Sequence, residues 1–171
     1  MFINPKKAID NGWLQYVPSK CIQPNAVDIP MTRMWEVQDD VFVLNVDGKT
    51  HRSRVELTPT MVDDNVGRSS LWEIGTGSYD FMSNVYVKVP EGHVGWLHTR
   101  STLNRNGLFV HSGIYDSGFE GPVCGMLYNH IGTAHLEVDA CVAQFIIAES
   151  DSQGIYTGDY NMKDGEVWHE R

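Results

Sequence analysis

The chain has 171 residues, 22 acidic against 13 basic, for a formal net charge of -9. That length suits one domain with its own apolar core. The charge excludes a broad nucleic-acid or anionic-membrane surface, so any anion site has to be a local cluster of arginines. Cys21, Cys124 and Cys141 make neither a CxxC pair nor an even disulfide framework, and read as buried small hydrophobes in a reducing compartment. The first residues, MFINPKKAIDNGW, hold no signal-peptide core, and no run is long and apolar enough to span a bilayer. A soluble, cytoplasmic protein is the expectation.

In chain order, Asn4 to Asn11 predicts a short helix, with Asn4 as N-cap, Pro5 in the first turn and Gly12 as the stop. Ile22 to Ile29 reads as a turn running into a strand, Met34 to Val37 and Val41 to Val46 as extended segments, and Asp47-Gly48 as a hairpin turn. From Ser53 to Asn65 the alternation is weak and Thr58-Pro59 argues against a central strand, leaving an edge or a loop. Tyr79 to Val89, Val94 to Thr99, Leu108 to Ser112, Val123 to Asn129 and Leu136 to Ile147 are all strand-like. In the last of these, the period of two makes Gln144 the one polar member of an apolar face formed with Leu136, Val138, Ala140, Val142 and Ile146. An all-β fold follows, barrel or jelly roll, with a short N-terminal helix. Residues 1–153 form the domain, and 154–171 are a polar, aromatic, glycine-spaced tail, mobile until something binds.

The chemistry concentrates between Arg100 and Gly121. Arg100, Ser101, Thr102 and Arg105 offer the charge-assisted donors that phosphate oxygens need. A single carboxylate, Asp116, follows between Tyr115 and Ser117, and Gly113, Gly118 and Gly121 permit tight turns or close main-chain approach. On residue chemistry alone this is either a surface hairpin with scattered polar groups or an anion site. The common phosphate loops, GxxxxGK[ST] and GxGxxG, are absent, as is HExxH. His135-Leu136-Glu137 lacks the following PCxxC that zinc-dependent deamination needs. Arg68-Ser69-Ser70 imitates a phosphate triplet but leads into Leu71-Trp72 with no Gly-Asp hairpin after it, and is read as a loop.

The central stretch resembles the superfamily of trimeric dUTPases and metal-free dCTP deaminases. Gln23-Pro24-Asn25-Ala26-Val27-Asp28 after a helix is similar to the opening of the deaminase branch. Val89 to Gly95 followed by Arg100 to Gly107 resembles the Pro-x-x-x-x-Gly then RSSL-x-R-x-G motifs, and Asp116 to Gly121 resembles ID-[SP]-x-aromatic-x-G. The resemblance implies a dUTPase-like β-barrel or jelly-roll protomer in a homotrimer with nucleotide sites between subunits. It also implies triphosphate binding by Arg100, Ser101, Thr102 and Arg105, with Gln144 near the phosphates. Asp116 falls beside the deoxyribose and the attacking water, and Phe119 against the sugar. Mg²⁺ rides on the triphosphate oxygens, with no metal ligand from the chain, and the partner is a deoxyribonucleoside triphosphate, dUTP or dCTP.

Three departures bear on the reaction. The position ten residues beyond Asp116, where deaminases of the family carry a glutamate base, is Met126, and a thioether cannot take a proton. The segment before Asp116 is short, with Tyr115 in place of an aliphatic residue. Asp159-Tyr160-Asn161-Met162-Lys163 matches the family's closing segment only loosely, leaving Lys163 as a candidate phosphate ligand. Hydrolysis of dUTP to dUMP and pyrophosphate is therefore the expected activity. The alternatives are dCTP deamination, alone or with hydrolysis, using Glu120 or Glu137 as base, and a non-catalytic nucleotide-binding trimer. Asp28 is read as a turn cap, His111 as a hairpin or interface residue.

Overall fold

Strand β9 (Gly77–Lys88) is the spine of the structure, a computed structural model that describes residues 1–64, 67–163 and 166. Its apolar run buries Phe81, Val85 and Val87 completely, as expected of a strand covered on its core face. β9 pairs antiparallel with β12 (Glu120–Asn129) on one side and β3 (Arg33–Val37) on the other. β11 (Leu108–His111) flanks β12, β6 (Arg54–Glu56) forms the far edge beside β3, and β1 (Leu14–Gln15) joins the end of β9. A second sheet runs β10 (His93–Thr99), β14 (Cys141–Glu149), β2 (Val27–Pro30). A third runs β13 (Ala134–Glu137), β8 (Gly67–Ile74), β7 (Thr60–Asp64). The sheets enclose the main core, with Ile29, Met31, Phe81, Leu127 and Phe145 fully buried, and Trp35 and Met82 form a second small cluster. The fold is all-β, and the hydrogen-bonded ladders do not run round into a single closed barrel.

Several elements match the expectation from local chemistry. Helix α1 (Pro5–Asp10) is capped by the Asn4 side chain, which accepts from the Lys6 amide at 2.9 Å. β6 and β7, either side of Thr58-Pro59, are both edge strands. β4 (Leu44–Asn45) and β5 (Gly48–Lys49) make the hairpin signalled by Asp47-Gly48. Val41, Phe42 and Val43, however, lie outside any strand and are exposed. Among the described residues no helix is long and apolar enough to cross a membrane.

Other readings are corrected. Arg68-Ser69-Ser70 is not a loop but part of β8, paired with Val62 and its neighbours on β7. The segment from Leu136 to Ile147 is not one strand. Asp139 takes a left-handed φ of 66° and breaks it into β13 and β14, a conformation that Asp tolerates better than most residues. A register shift between Cys141 and Ala143 then moves the parity. The core face of β14 is consequently Ala143, Phe145 and Ile147, and Gln144 lies half-buried on the other face. Residues of the tail are docked: the Tyr156 amide donates to the Ser117 carbonyl at 2.6 Å and the Met162 amide to the Glu120 carbonyl at 2.9 Å. Tyr86 Oη also donates to the Met162 carbonyl at 2.8 Å. The end of the chain, 164–165 and 167–171, lies outside the described residues.

Tyr115 explains how the short segment before Asp116 holds its shape. Its ring is buried, meeting Phe119 and Phe145 edge-on at 4.9 and 5.0 Å. Its hydroxyl donates to the Cys124 carbonyl and accepts from the Cys124 amide at 3.0 Å, next to the bulge that accommodates Pro122 in β12. Burial pushes the Tyr115 hydroxyl far above its ordinary pKa, keeping it a neutral donor. Tyr115→Phe leaves two main-chain groups of Cys124 without that partner, and is expected to cost about 1–3 kcal/mol in urea unfolding.

Candidate functional site

The second sheet builds the first candidate site. His98, Gln144 and Asp28 are directly opposite one another in β10, β14 and β2, so their side chains share one end of that sheet's outer face. β10 ends at Thr99, and Arg100 after it serves as N-cap of α2 (Ser101–Arg105), a short helix that the sequence does not signal. The result is a polar cleft of about 280 Å³ lined by Gln23, Asp28, His98 to Ser101, Asn104 and Gln144.

Asp28 organises that cleft. It is 4% exposed, and a carboxylate so buried needs donors around it. Its Oδ1 accepts from Gln144 Nε2 at 3.0 Å, its Oδ2 from Gln23 Nε2 at 3.2 Å, and Arg100 Nη2 lies 3.2 Å from Oδ2. Arg100 Nη1 is fixed in turn by the Cys141 carbonyl at 3.0 Å. Arg100 is thus pinned at its base yet 36% exposed, a cation whose direction is set before any ligand arrives. The turn-cap reading of Asp28 is thereby replaced: it is the acceptor that aims both Arg100 and Gln144. Beneath lie Cys21 and Cys141, sulfurs 3.6 Å apart. Burial and the Cys21 thiol push Cys141 up to about 12, so Cys141 stays a thiol.

The six-stranded sheet builds the second candidate site on its outer face. Gly125 points into the core, where a Cβ would come within 2.8 Å of Leu97 and 3.0 Å of the His111 carbonyl. Alternation then turns its neighbours Cys124 and Met126 outward. They join His111 to Tyr115, Phe119, Pro122, Tyr128, Asp80, Arg54 and the tail residues Tyr156, Tyr160 and Met162 around a cavity of about 630 Å³. Its wall is mainly aromatic and thioether, suited to a flat, mostly apolar group. Gly118, with φ at 82°, forms the turn below it, and a Cβ there would stand 2.9 Å from Ile155. Glycine is required at that position by both turn and tail.

Of the residues singled out from the sequence, Arg100, Ser101 and Gln144 come together in the polar cleft, and Phe119 lines the cavity. Asp116 is exposed on the hairpin turn, its carbonyl accepting from the Phe119 amide at 3.0 Å, and it lines neither space. Thr102 and Arg105 are exposed on α2 outside the cleft lining, and Lys163 is exposed with its amide bonded to Glu166. Glu120 is held by Lys88 and Tyr86 and Glu137 stands exposed on β13, so neither lines the cavity. The carboxylate that does is Asp80, directly across from Met126. No sequence signal marked it, since it reads as a polar residue within a strand.

Residues 6–150 match the dCTP deaminase-like family. A probable deoxyuridine 5'-triphosphate nucleotidohydrolase from Halobacterium salinarum is 33% identical over 139 residues, covering 81% of this chain and 82% of that protein. One of the same name from Aeropyrum pernix is 27% identical over 168 residues, 94% and 97% of the two chains. A dCTP deaminase of Pyrobaculum islandicum is 32% identical over 81 residues, 47% of this chain and 46% of its own. Among solved structures, 2'-deoxycytidine 5'-triphosphate deaminase from Agrobacterium tumefaciens superposes with a TM-score of 0.59 at 12% identity, over 83% of this chain and 45% of that one. That likeness is one of fold.

If Asp28 aims the polar cleft, Asp28→Asn sets an amide N–H₂ against the donors of Gln23, Gln144 and Arg100. Stability is expected to fall by about 1–3 kcal/mol in denaturant unfolding. Calorimetry is expected to show pyrophosphate binding weakened by roughly tenfold, as a misdirected Arg100 loses its charge-assisted bonds.

Proposed function

The chain belongs to the dCTP deaminase-like family, within the dUTPase and dCTP deaminase superfamily, and on that premise we propose that it hydrolyses dUTP to dUMP and pyrophosphate. The observation that carries this reading is the pair Asp116 and Met126. Asp116, the carboxylate that would orient a water, is exposed on the hairpin turn, while the cavity position that the family resemblance assigns to a deaminase's base is Met126, a thioether. Attack at the α-phosphorus calls for a carboxylate to take the water's proton, and for fixed donors facing the charge that develops on the phosphate oxygens. Asp116 fills the first role. Arg100 and Ser101 fill the second, with Gln144 beside them and Thr102, Arg105 and Lys163 as further phosphate ligands. Phe119 packs against the sugar.

Among the described residues no three His, Cys, Asp or Glu side chains converge to cage a cation. The polar cleft's donors, one arginine among hydroxyls and amides, fit a triphosphate that brings its own Mg²⁺. Brought in with the triphosphate, Mg²⁺ would supply neutralisation of phosphate charge, while Arg100 and Ser101 hold the phosphate oxygens.

The polar cleft and the cavity have no lining residue in common, and Asp116 belongs to neither. This supports a homotrimer in which one protomer's cleft receives the phosphates of a nucleotide whose ring and sugar sit in a neighbour's cavity. A second reading, dCTP deamination, rests on Asp80, a carboxylate in the cavity wall beside Met126. Against it, Asp80 is already engaged by the Arg54 guanidinium at 2.8 Å.

Incubation with Mg²⁺ and either dUTP or dCTP, with products separated by ion exchange, is expected to give dUMP and pyrophosphate from dUTP. Conversion of dCTP to dUTP with dUTP left intact would overturn the proposal. Asp116→Asn keeps shape and loses basicity, so kcat should fall by ~100-fold or more while dUTP still binds. In a mixed assembly, Arg100→Ala and Asp116→Asn chains, each inactive alone, should regain activity at about a quarter of the sites if those sites lie between subunits. No recovery would argue for a site within one chain.

A further inference from the structure

One ion pair interrupts the apolar wall of the cavity. Asp80, 4% exposed, sits on β9 between Met126 of β12 and Trp35 of β3. Arg54 reaches it from the edge strand β6, with Nε donating to Asp80 Oδ2 at 2.8 Å and Nη1 to the Arg52 carbonyl at 2.7 Å. The two side chains are 11% and 6% exposed, and both line the cavity. Burying such a pair is costly, and an apolar pair of similar size would hold the edge strand at least as well. Its position in the wall of a cavity lined by Tyr115, Phe119, Tyr128 and Tyr156 is therefore informative. Those rings suit the faces of a flat heterocycle, and the pair is what such a ring's polar edge would meet.

We propose that Arg54 is a specificity-determining residue, its guanidinium donating to a carbonyl oxygen on the edge of a pyrimidine ring, and that Asp80 is the positioning residue that fixes the fork. A guanidinium carries five N–H donors and no acceptor. It matches a ring that presents an oxo group at its 4-position and opposes one that presents an amino group there, donor against donor. Where the ring is held between those aromatic side chains its edge is poorly reached by water, so the mismatch discriminates. The pair thus makes the uracil edge preferred over the cytosine edge. This rests on reading the cavity as the nucleoside site.

The test is calorimetric binding of dUMP, dCMP and pyrophosphate to the full chain and to two variants. The double variant Arg54→Met with Asp80→Leu removes both charges, leaving neither buried alone, and Arg54→Lys keeps the charge but loses the planar fork. Wild-type protein is expected to prefer dUMP over dCMP. In both variants that preference should fall by ~10-fold or more, through weaker dUMP binding, with pyrophosphate binding retained. An unchanged preference in the variants, or none in the wild type, overturns the proposal. Melting by circular dichroism checks folding, and should the double variant not fold, Arg54→Lys decides. Failure of the wild type to turn over dUTP, with the dUMP preference and its loss in the variants both seen, overturns the hydrolase reading and leaves this one standing.

Discussion

The buried carboxylate of Asp28 is the constraint from which the polar cleft follows. A charge that is 4% exposed has to be surrounded by donors, and the three it has found are the side chains of Gln23, Gln144 and Arg100. Each comes from a different stretch of chain: the turn before β2, the middle of β14 and the end of β10. Satisfying one carboxylate therefore brings three segments into register. It also leaves an arginine held from behind, with its outer side toward solvent. The fixed direction of Arg100 is a consequence of one desolvation cost offset at the base of the cleft.

The cavity depends on a different constraint, the parity of β12. Gly125 packs inward where no larger residue fits, so Cys124 and Met126 are turned out. The bulge near Pro122 is held by the Tyr115 hydroxyl on the Cys124 main chain. Tyr115 thereby sets the hairpin carrying Asp116 against the strand carrying Met126. The tail completes the wall, tied to the same hairpin through Ser117 and Glu120. The hairpin, strand and tail make one unit, and Tyr115 ties it to the second sheet through its main-chain bonds to Gly95 of β10.

The part of the polar cleft and cavity that was legible in the sequence is local, Arg100 and Ser101 in the one and Phe119 in the other. Arg100 and Ser101 are adjacent, Asp116 to Phe119 is a single turn, and the Asn4 cap acts within two residues. Features of longer reach are not legible locally. Counting in twos from Leu136 puts Gln144 on an apolar face, and the count fails because Asp139 bends the chain and a bulge at Cys141 to Ala143 shifts parity. Arg68 to Ser70 read as a loop by composition, but pairing with β7 supplies main-chain partners that composition does not reveal. Arg54 and Asp80 are 26 residues apart, in strands that meet only through β3, and each alone is an ordinary polar residue.

The sequence by itself determined the family, the all-β class, the short capped helix and the motifs at Arg100 to Gly107 and Asp116 to Gly121, because residue type at short spacing carries these. It also determined the reaction favoured, since Met126 in place of a carboxylate is a matter of residue identity. Only the tertiary structure decided that Asp28 aims Arg100 and Gln144, that the polar cleft and the aromatic cavity are separate spaces, and that a buried Arg54–Asp80 pair stands in the cavity wall. Those facts depend on which strands pair and which face each residue takes. Both are set by burial and register across the whole sheet, which no local pattern encodes.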